Sequence, residues 1–325
     1  MMTELFNIIQ PIKEELETFN EHLRAAMRSK VMFVDLIARY IVKQKGKKIR
    51  PALVLLTAKA CGEINDSTYR GASLVEILHT ATLIHDDVVD DADTRRGFAS
   101  INAVWKNKIA VLMGDYMLAK GLLLSLDNND FQFLKITSDA VRRMSEAEIL
   151  QIAKSRDLDI DEATYLKIIS DKTASLLSTC CQIGAASVTA DERIKKCMRE
   201  FGENIGMVFQ IRDDLLDYIG RKSITGKPTG LDMKEKKLTL PLIYSFTQAP
   251  RGQSKSILRI IKNGASKKEL QNVVEFAHEF GGIDYTTKKA EQYSGLALSA
   301  LDILPYSPAK EALSSFVDYV MERSK

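Results

Sequence analysis

The sequence predicts an all-α fold, a single domain over residues 1–325 wound around two apolar central helices. Three observations lead there. Runs of alternating apolar and polar residues, the mark of half-buried strands, are nearly absent. The chain has only 7 prolines, which leaves long stretches of helical hydrophobic spacing unbroken. Two segments, 67–91 and 193–218, are apolar on most faces, as helices in the middle of a bundle must be.

In order along the chain, residues 3–28 are amphipathic, with Leu5, Ile8, Ile9, Ile12, Leu16 and Phe19 at helical spacing. A second helix is expected over 31–43, followed by the basic turn Gly46-Lys47-Lys48-Ile49-Arg50. Pro51 suits the first turn of the next helix, which should run to about Cys61. The apolar helix over 67–91 is built around Leu74, Ile77, Leu78 and Leu83. Residues 100–125 give another, with an interruption expected at Gly114-Asp115-Tyr116. Helices over 129–154 and 161–189 follow, and Asp191 opens the second apolar helix. A loop with Gly220, Gly226, Pro228 and Gly230 ends it. Further helices are expected at 239–247, 254–262, 267–280, 284–303 and 308–323, with Gly264 and Gly281-Gly282 as stops. No repeat, low-complexity tract or interdomain linker is visible.

The composition is that of a globular protein: 45% apolar, 27% charged and a net charge of +3, with no dense basic stripe interleaved with aromatics, so nucleic acid is not an expected partner. Cys61, Cys180, Cys181 and Cys197 lack zinc-site spacing and fit reduced thiols. The N-terminal segment is acidic where a secretory signal would be basic. No stretch reads as a membrane span by its run of apolar residues. The expectation is a soluble, cytoplasmic protein.

The chemistry is concentrated at the ends of the two apolar helices. Asp86, Asp87, Asp90, Asp91 and Asp93 put five carboxylates into eight residues. Like charges three and four apart on a helix repel by about 0.2–0.5 kcal/mol per pair unless a cation lies between them. Magnesium is the natural candidate, since it takes carboxylate oxygens and shares its other positions with water and phosphate. The cluster Asp213-Asp214-Leu215-Leu216-Asp217 repeats the same Asp-Asp-x-x-Asp spacing 127 residues on. Facing helices that carry carboxylates are how bundles build metal sites. One cluster alone could be a solvated face; a matched pair argues for metal. Cations complete the pattern: Lys47 and Arg50 before one helix, Arg95 and Arg96 after the first acids, Lys172 in a weakly charged helix, and Lys227 and Lys237 beyond the second acids. Acids and bases together imply a polyanion bridged by metal on one side and gripped by arginine and lysine on the other.

These residues resemble a known family, the all-trans isoprenyl (polyprenyl) diphosphate synthases, and most of all their long-chain, octaprenyl-type members. The resemblance runs from about residue 44 to the C-terminus. It rests on GKKIRP (46–51), HTATLIHDDVVDDADTRRG (79–97), KTASL (172–176), FQIRDDLLDY (209–218) and GKPTGLDMKEKKLTLPL (226–242). It implies an isoprenoid-synthase bundle with a central substrate cavity, and a homodimer. It implies that Asp86, Asp87, Asp90, Asp213, Asp214 and Asp217 hold three magnesium ions against the diphosphate of an allylic substrate. Arg95, Lys172 with its neighbour Thr173, Lys227 and Lys237 would grip that diphosphate. Lys47, Arg50, His79 and Arg96 would bind isopentenyl diphosphate, while Gln151 and Gln210 orient metal-bound water. His85 reads as structural. Lys236 departs from the family's usual glycine and leaves the assignment of Lys237 less direct, and Lys48 stands where arginine is commoner.

The implied reaction is ionisation of the allylic C–O bond, attack by the double bond of isopentenyl diphosphate, and loss of a proton. No nucleophilic Ser, Cys or His is required. In this family the growing tail descends along the helix of the first motif. Ala81 and Thr82, one turn before Asp86, are both small, with Leu78 lower on the same face. The expectation is therefore an open tunnel past Ala81 and a long-chain product, a quinone side-chain precursor made from farnesyl diphosphate; the counter-reading is that Ala81 is a small helix-packing residue and that an aromatic from another helix closes the tunnel. The alternatives are a farnesyl or geranylgeranyl diphosphate synthase, and a non-catalytic regulatory subunit. A terpene cyclase is disfavoured by Lys47, Arg50 and Arg96, for which it has no use.

Overall fold

The structure is a computed structural model that describes residues 2–44, 46–95, 97–219, 233, 237–264 and 266–322. It is helical nearly throughout. The elements are α1 (Met2–Ile9), α2 (Lys13–Met27), α3 (Met32–Lys43), α4 (Ile49–Cys61), α5 (Asp66–Val89), α6 (Ile101–Leu126), α7 (Phe131–Asp157) and α8 (Glu162–Ile169). A π-helical turn, Ser170–Ala174, joins α8 to α9 (Ser175–Ala186). Then come α10 (Glu192–Ile219), α11 (Leu240–Gln248), α12 (Arg251–Asn263), α13 (Lys267–Glu279), α14 (Gly282–Ala300) and α15 (Pro308–Glu322). Thr94–Arg95 (β1) and Phe98–Ala99 (β2) form a two-stranded hairpin, with Thr94 opposite Ala99 and Gly97 at φ +81° in its turn.

The two apolar helices of the sequence are α5 and α10, and both lie in the interior. α5 starts at a capping box: Asn65 Oδ1 accepts from the amides of Ser67 (2.9 Å) and Thr68 (3.2 Å), and Thr68 Oγ1 accepts from the Asn65 amide at 3.3 Å. Such a cap stabilises a helix start by about 1 kcal/mol. Leu74, Val75, Ile77 and Ala81 are then almost wholly buried. The core falls into three clusters. One joins α4, α9, the first half of α10 and α15; a second joins the rest of α10 to α11–α14. The third packs α3, the second half of α5 and α6.

Several boundaries differ from expectation for physical reasons. Pro11 breaks the first helix with a 3₁₀ turn, Gln10–Ile12, because proline supplies no amide to an α-helical ladder. No interruption occurs at Gly114. That glycine lets α6 approach α5, where a Cβ would stand 2.2 Å from His85 Nε2. The departure from helical geometry in α6 is at Lys106, with φ 71° and ψ 159°. The expected helix 161–189 contains the π turn, which places Lys172 and Thr173 in a register that plain α geometry would not give.

α6 also corrects the reading that no stretch could span a bilayer, since by length and composition it could, and only 33% of its apolar window is buried within this chain. All four cysteines are free.

Candidate active site

Each acidic motif divides in the same way. Four-residue spacing places Asp86 and Asp90 on one face of α5, with Asp87 turned about 100° away. Asp86 and Asp90 are exposed, whereas Asp87 is 2% exposed. Its Oδ1 accepts from Arg95 Nε at 2.6 Å, and its backbone carbonyl accepts from Asn102 Nδ2 at 3.2 Å. On α10, Asp213 and Asp217 are half-buried and share a face, while Asp214 is 5% exposed. Asp214 Oδ2 accepts from the Tyr165 hydroxyl and Oδ1 from Gln210 Nε2, both at 2.7 Å. The six aspartates of the two motifs therefore do not present themselves alike. Asp87 and Asp214 are turned inward and hold the ends of their helices, because the second residue of Asp-Asp-x-x-Asp falls on the buried stripe.

Between the two sets stands Lys172, carried by the π turn. Its Nζ donates to Gln151 Oε1 at 2.8 Å and pairs with Glu148, both on α7. Thr173 Oγ1 donates to Gln210 Oε1 at 2.8 Å. A 250 Å³ cavity here is lined by Gln151, Lys172, Thr173, Gln210, Asp213 and Lys237 among others. Although its side chain reaches solvent, Asp86 stands where the surrounding protein displaces water. That desolvation, with the nearby charges of Glu148 and Asp90, raises its carboxyl above the ordinary range, against the pull of Lys172 and Arg95. Burial likewise raises Asp87, with Arg95 acting the other way.

This donor set fits a divalent ion. It holds crowded carboxylate oxygens whose repulsion a cation would relieve. Among the described residues no group of three or more His, Cys, Asp or Glu could chelate an ion alone. Oxygens from a diphosphate and water would have to complete the shell, as magnesium prefers.

The second cationic set is less fully visible. Lys47 is exposed just before α4, and Arg50 is half-buried at its start. His79 is 7% exposed on α5. Arg96, Lys227 and Lys236 lie outside the described residues. His85 packs against Gly114, with Nε2 3.5 Å from Asp115 Oδ1.

The chain-length residues separate. Thr82 and Leu78 line a narrow cavity with Val75, Met144, Leu176 and Thr179, and Thr82 Oγ1 donates to the His79 carbonyl at 2.8 Å. The cavity holds only about 10 Å³, the space of one water. Ala81 is not on its wall. It is fully buried with Ile77, Met113 and Met117, facing α6. Instead of lining an open tunnel, Ala81 packs against α6, turned about 60° from Leu78 and about 100° from Thr82 around the axis of α5.

Two residues of the site escaped the sequence reading. Glu148 lies one turn before Gln151 on the same face of α7, a spacing that could have flagged it. Tyr165, almost wholly buried, fastens Asp214 from 49 positions earlier in the chain, and no local signal marks it.

Comparison with known proteins agrees with this architecture. The model of the polyprenyl synthetase family matches residues 32–277. The all-trans-nonaprenyl-diphosphate synthase (geranyl-diphosphate specific) of Rhodobacter capsulatus is 35% identical over 98% of this chain and 97% of its own. The octaprenyl diphosphate synthase of Escherichia coli (strain K12) is 33% identical over 96% and 97%. A polyprenyl synthase from Caulobacter crescentus, solved with calcium and isoprenyl diphosphate, superposes with a TM-score of 0.88 at 31% identity, covering 99% of this chain and 98% of that one. Fold, paired acids and these matches define an alkyl-transferring enzyme. The chain belongs to the polyprenyl synthetase family.

Proposed function

We propose that this enzyme condenses an allylic diphosphate, farnesyl diphosphate, with successive isopentenyl diphosphate units to give a long-chain all-trans polyprenyl diphosphate, the precursor of a quinone side chain. The observation that carries it is the twofold division of the acidic motifs, which turns Asp86 and Asp90 on one helix and Asp213 and Asp217 on another outward while Lys172 stands between the motifs.

Those four aspartates would hold three magnesium ions, with Asp87 and Asp214 holding the helix ends. Bound there, magnesium would neutralise the charge that develops on a departing diphosphate. Lys172, Lys237 and Arg95 supply preorganised donors to the same diphosphate. Thr173 and Gln210, already hydrogen-bonded to each other, fix the wall against which it lies. Lys47, Arg50 and His79, with Arg96, would take the diphosphate of the extender. The apolar wall of Thr82, Leu78 and Val75 excludes water from the tail and from the carbocation. We read residues 1–325 as one catalytic domain that works as a homodimer. Val104, Val111, Leu112, Leu122 and Leu123 leave an apolar face on α6 for a second copy.

A second reading, a farnesyl or geranylgeranyl diphosphate synthase, draws on the narrowness of the cavity below Thr82. A regulatory subunit is disfavoured because both acidic motifs are whole. Purified protein with magnesium and labelled isopentenyl diphosphate, primed in turn with geranyl and farnesyl diphosphate, tests all three. Products well beyond C20 are expected. Products that stop at C20, or extension of geranyl diphosphate only as far as C15, sink the long-chain reading, and no extension of either primer sinks catalysis.

A further inference from the structure

The π turn that carries Lys172 is tied down on the side away from the cleft by an ionic cluster of Arg143, Lys167, Asp171 and Glu203. Arg143, on α7, donates from Nε to Asp171 Oδ1 at 2.6 Å and from Nη2 to Glu203 Oε1 at 2.6 Å and to Ser170 Oγ at 3.0 Å. Its Nη1 reaches Glu203 Oε2 at 3.3 Å. Lys167 holds the other oxygen of Asp171 at 2.8 Å, and Ser170 Oγ donates to Glu203 Oε1 at 2.6 Å. Gly206 lets α10 press directly on the turn, since a Cβ there would stand 2.4 Å from Ala174 Cα.

The three helices that meet at Arg143 are the three that build the cleft above it. Arg143 precedes Gln151 by about two turns of α7, Glu203 precedes Gln210 by about two turns of α10, and Asp171 adjoins Lys172. The pairs Lys172–Gln151 and Thr173–Gln210 join the same three elements a second time, at the level of the cleft. A π turn is a rare geometry that holds one residue more than the α-helix it interrupts. If it relaxed to α geometry, each side chain on it would rotate by up to about 100°, taking Lys172 and Thr173 off their partners.

We propose that Arg143 is a positioning residue for the reaction. By closing Asp171 and Glu203 on its guanidinium, it holds the π turn in the register that aims Lys172 and Thr173 into the diphosphate cleft. Arginine suits this task because its planar fork serves two carboxylates and a hydroxyl at once, which a lysine ammonium does less well. The proposal rests on the reading above that Lys172 grips the allylic diphosphate.

The test uses Arg143→Met, Arg143→Lys, Glu203→Gln and Lys172→Met in the full-length chain. Amide hydrogen exchange is followed over residues 170–174, with α6 as an internal reference. Binding of inorganic diphosphate in the presence of magnesium is followed by calorimetry, and KM is measured for each substrate. Arg143→Met is expected to speed exchange at 170–174 by about tenfold or more with α6 unchanged. It should weaken diphosphate binding and raise KM for the allylic substrate by about tenfold, while KM for isopentenyl diphosphate stays within about twofold. Arg143→Lys and Glu203→Gln should fall between it and the wild type. Lys172→Met should weaken diphosphate binding without changing the exchange.

Unchanged exchange in Arg143→Met overturns the proposal, as does faster exchange with diphosphate binding intact. A wild-type protein that binds no diphosphate overturns the functional reading, and the positioning role with it. Wild-type binding that Arg143→Met leaves unaltered overturns the positioning role alone.

Discussion

The two acidic motifs share a spacing and differ in how their buried aspartate is held. Asp87 is fastened by a charge, Arg95, which reaches it from the β1–β2 hairpin. Asp214 accepts from two neutral donors among the described residues, the Tyr165 hydroxyl and the Gln210 amide, both on packed helices. A buried carboxylate held by a guanidinium depends on that one partner, because removal of either strands a desolvated charge. One held by two neutral donors loses each at the smaller cost of a single hydrogen bond to a charged group. Arg95 is also one of the cations expected to meet the diphosphate. The first motif is therefore coupled to its ligand through a residue that must serve both, whereas the second is a fixed wall.

The largest effects should fall on the outward acids. Asp86→Asn is expected to lower kcat by about 10³-fold, the scale of losing a main electrostatic contributor. Because the Asp86 carboxyl is raised by desolvation and by Glu148 and Asp90, its ionised form disfavours the metal-free fold at neutral pH. The same substitution should therefore raise the melting temperature of the metal-free protein. A lower melting temperature would mean that the crowding of Asp86, Glu148 and Asp90 is not a source of strain.

The next comparison sets the inward acids against each other. Asp87→Ala strands Arg95, whose side chain is 29% exposed, and should cost about 2 kcal/mol, less than for a wholly buried pair. Tyr165→Phe removes one donor from Asp214 and should cost about 1.5 kcal/mol. Urea unfolding measures both. Activity sharpens the contrast: Asp87→Ala should also raise KM for the allylic substrate, because Arg95 loses its anchor, while Tyr165→Phe should act mainly on stability. Equal effects of the two variants on KM would erase the distinction between a coupled motif and a fixed one.

The chain-length residues carry a smaller effect and show how far sequence pattern reaches. The all-α class, the two central helices and the pairing of the motifs were legible because each rests on local periodicity and charge. The sides of α5 were not. Ala81 and Thr82 are adjacent small residues, and only the packing of α6 against α5 decides that Ala81 faces Met113 and Met117 while Thr82 faces Met144 and Leu176. The π turn was equally hidden, since Ser170–Ala174 reads as ordinary helix and its geometry is imposed by Arg143 and Glu203 from elsewhere in the chain. Thr82→Tyr should shorten the product by several isoprene units while turnover persists. Ala81→Tyr should instead overpack the α5–α6 contact, at a cost of about 1–3 kcal/mol. Product length by chromatography and stability by urea unfolding separate the two, and a shorter product from Ala81→Tyr without loss of stability would return Ala81 to the tunnel wall.

The smallest expected effect is a pH dependence in the cluster below the cleft. Asp171 is pulled in two directions. Burial alone would raise it, but the hydrogen bonds and charges of Lys167 and Arg143 win and hold it below its usual 3.8. Arg143 is correspondingly raised by Glu203 and Asp171 in spite of its own desolvation. A carboxyl lowered on folding contributes stability that is present above its unfolded value and is lost as the pH falls through its folded one. The contribution of the Arg143–Asp171 pair should thus be complete at neutral pH and fade below about pH 4. The difference in melting temperature between the wild type and Arg143→Met should be constant from about pH 6 to pH 8 and narrow as the pH falls below about 4, where protonated Asp171 no longer needs the guanidinium. Lys167→Met should show the same narrowing with a smaller plateau, since Lys167 is the more exposed partner, at 66% against 23% for Arg143. A difference that stays constant down to pH 3 would mean that Arg143 stabilises the turn through packing, or through Glu203 alone, and not through Asp171.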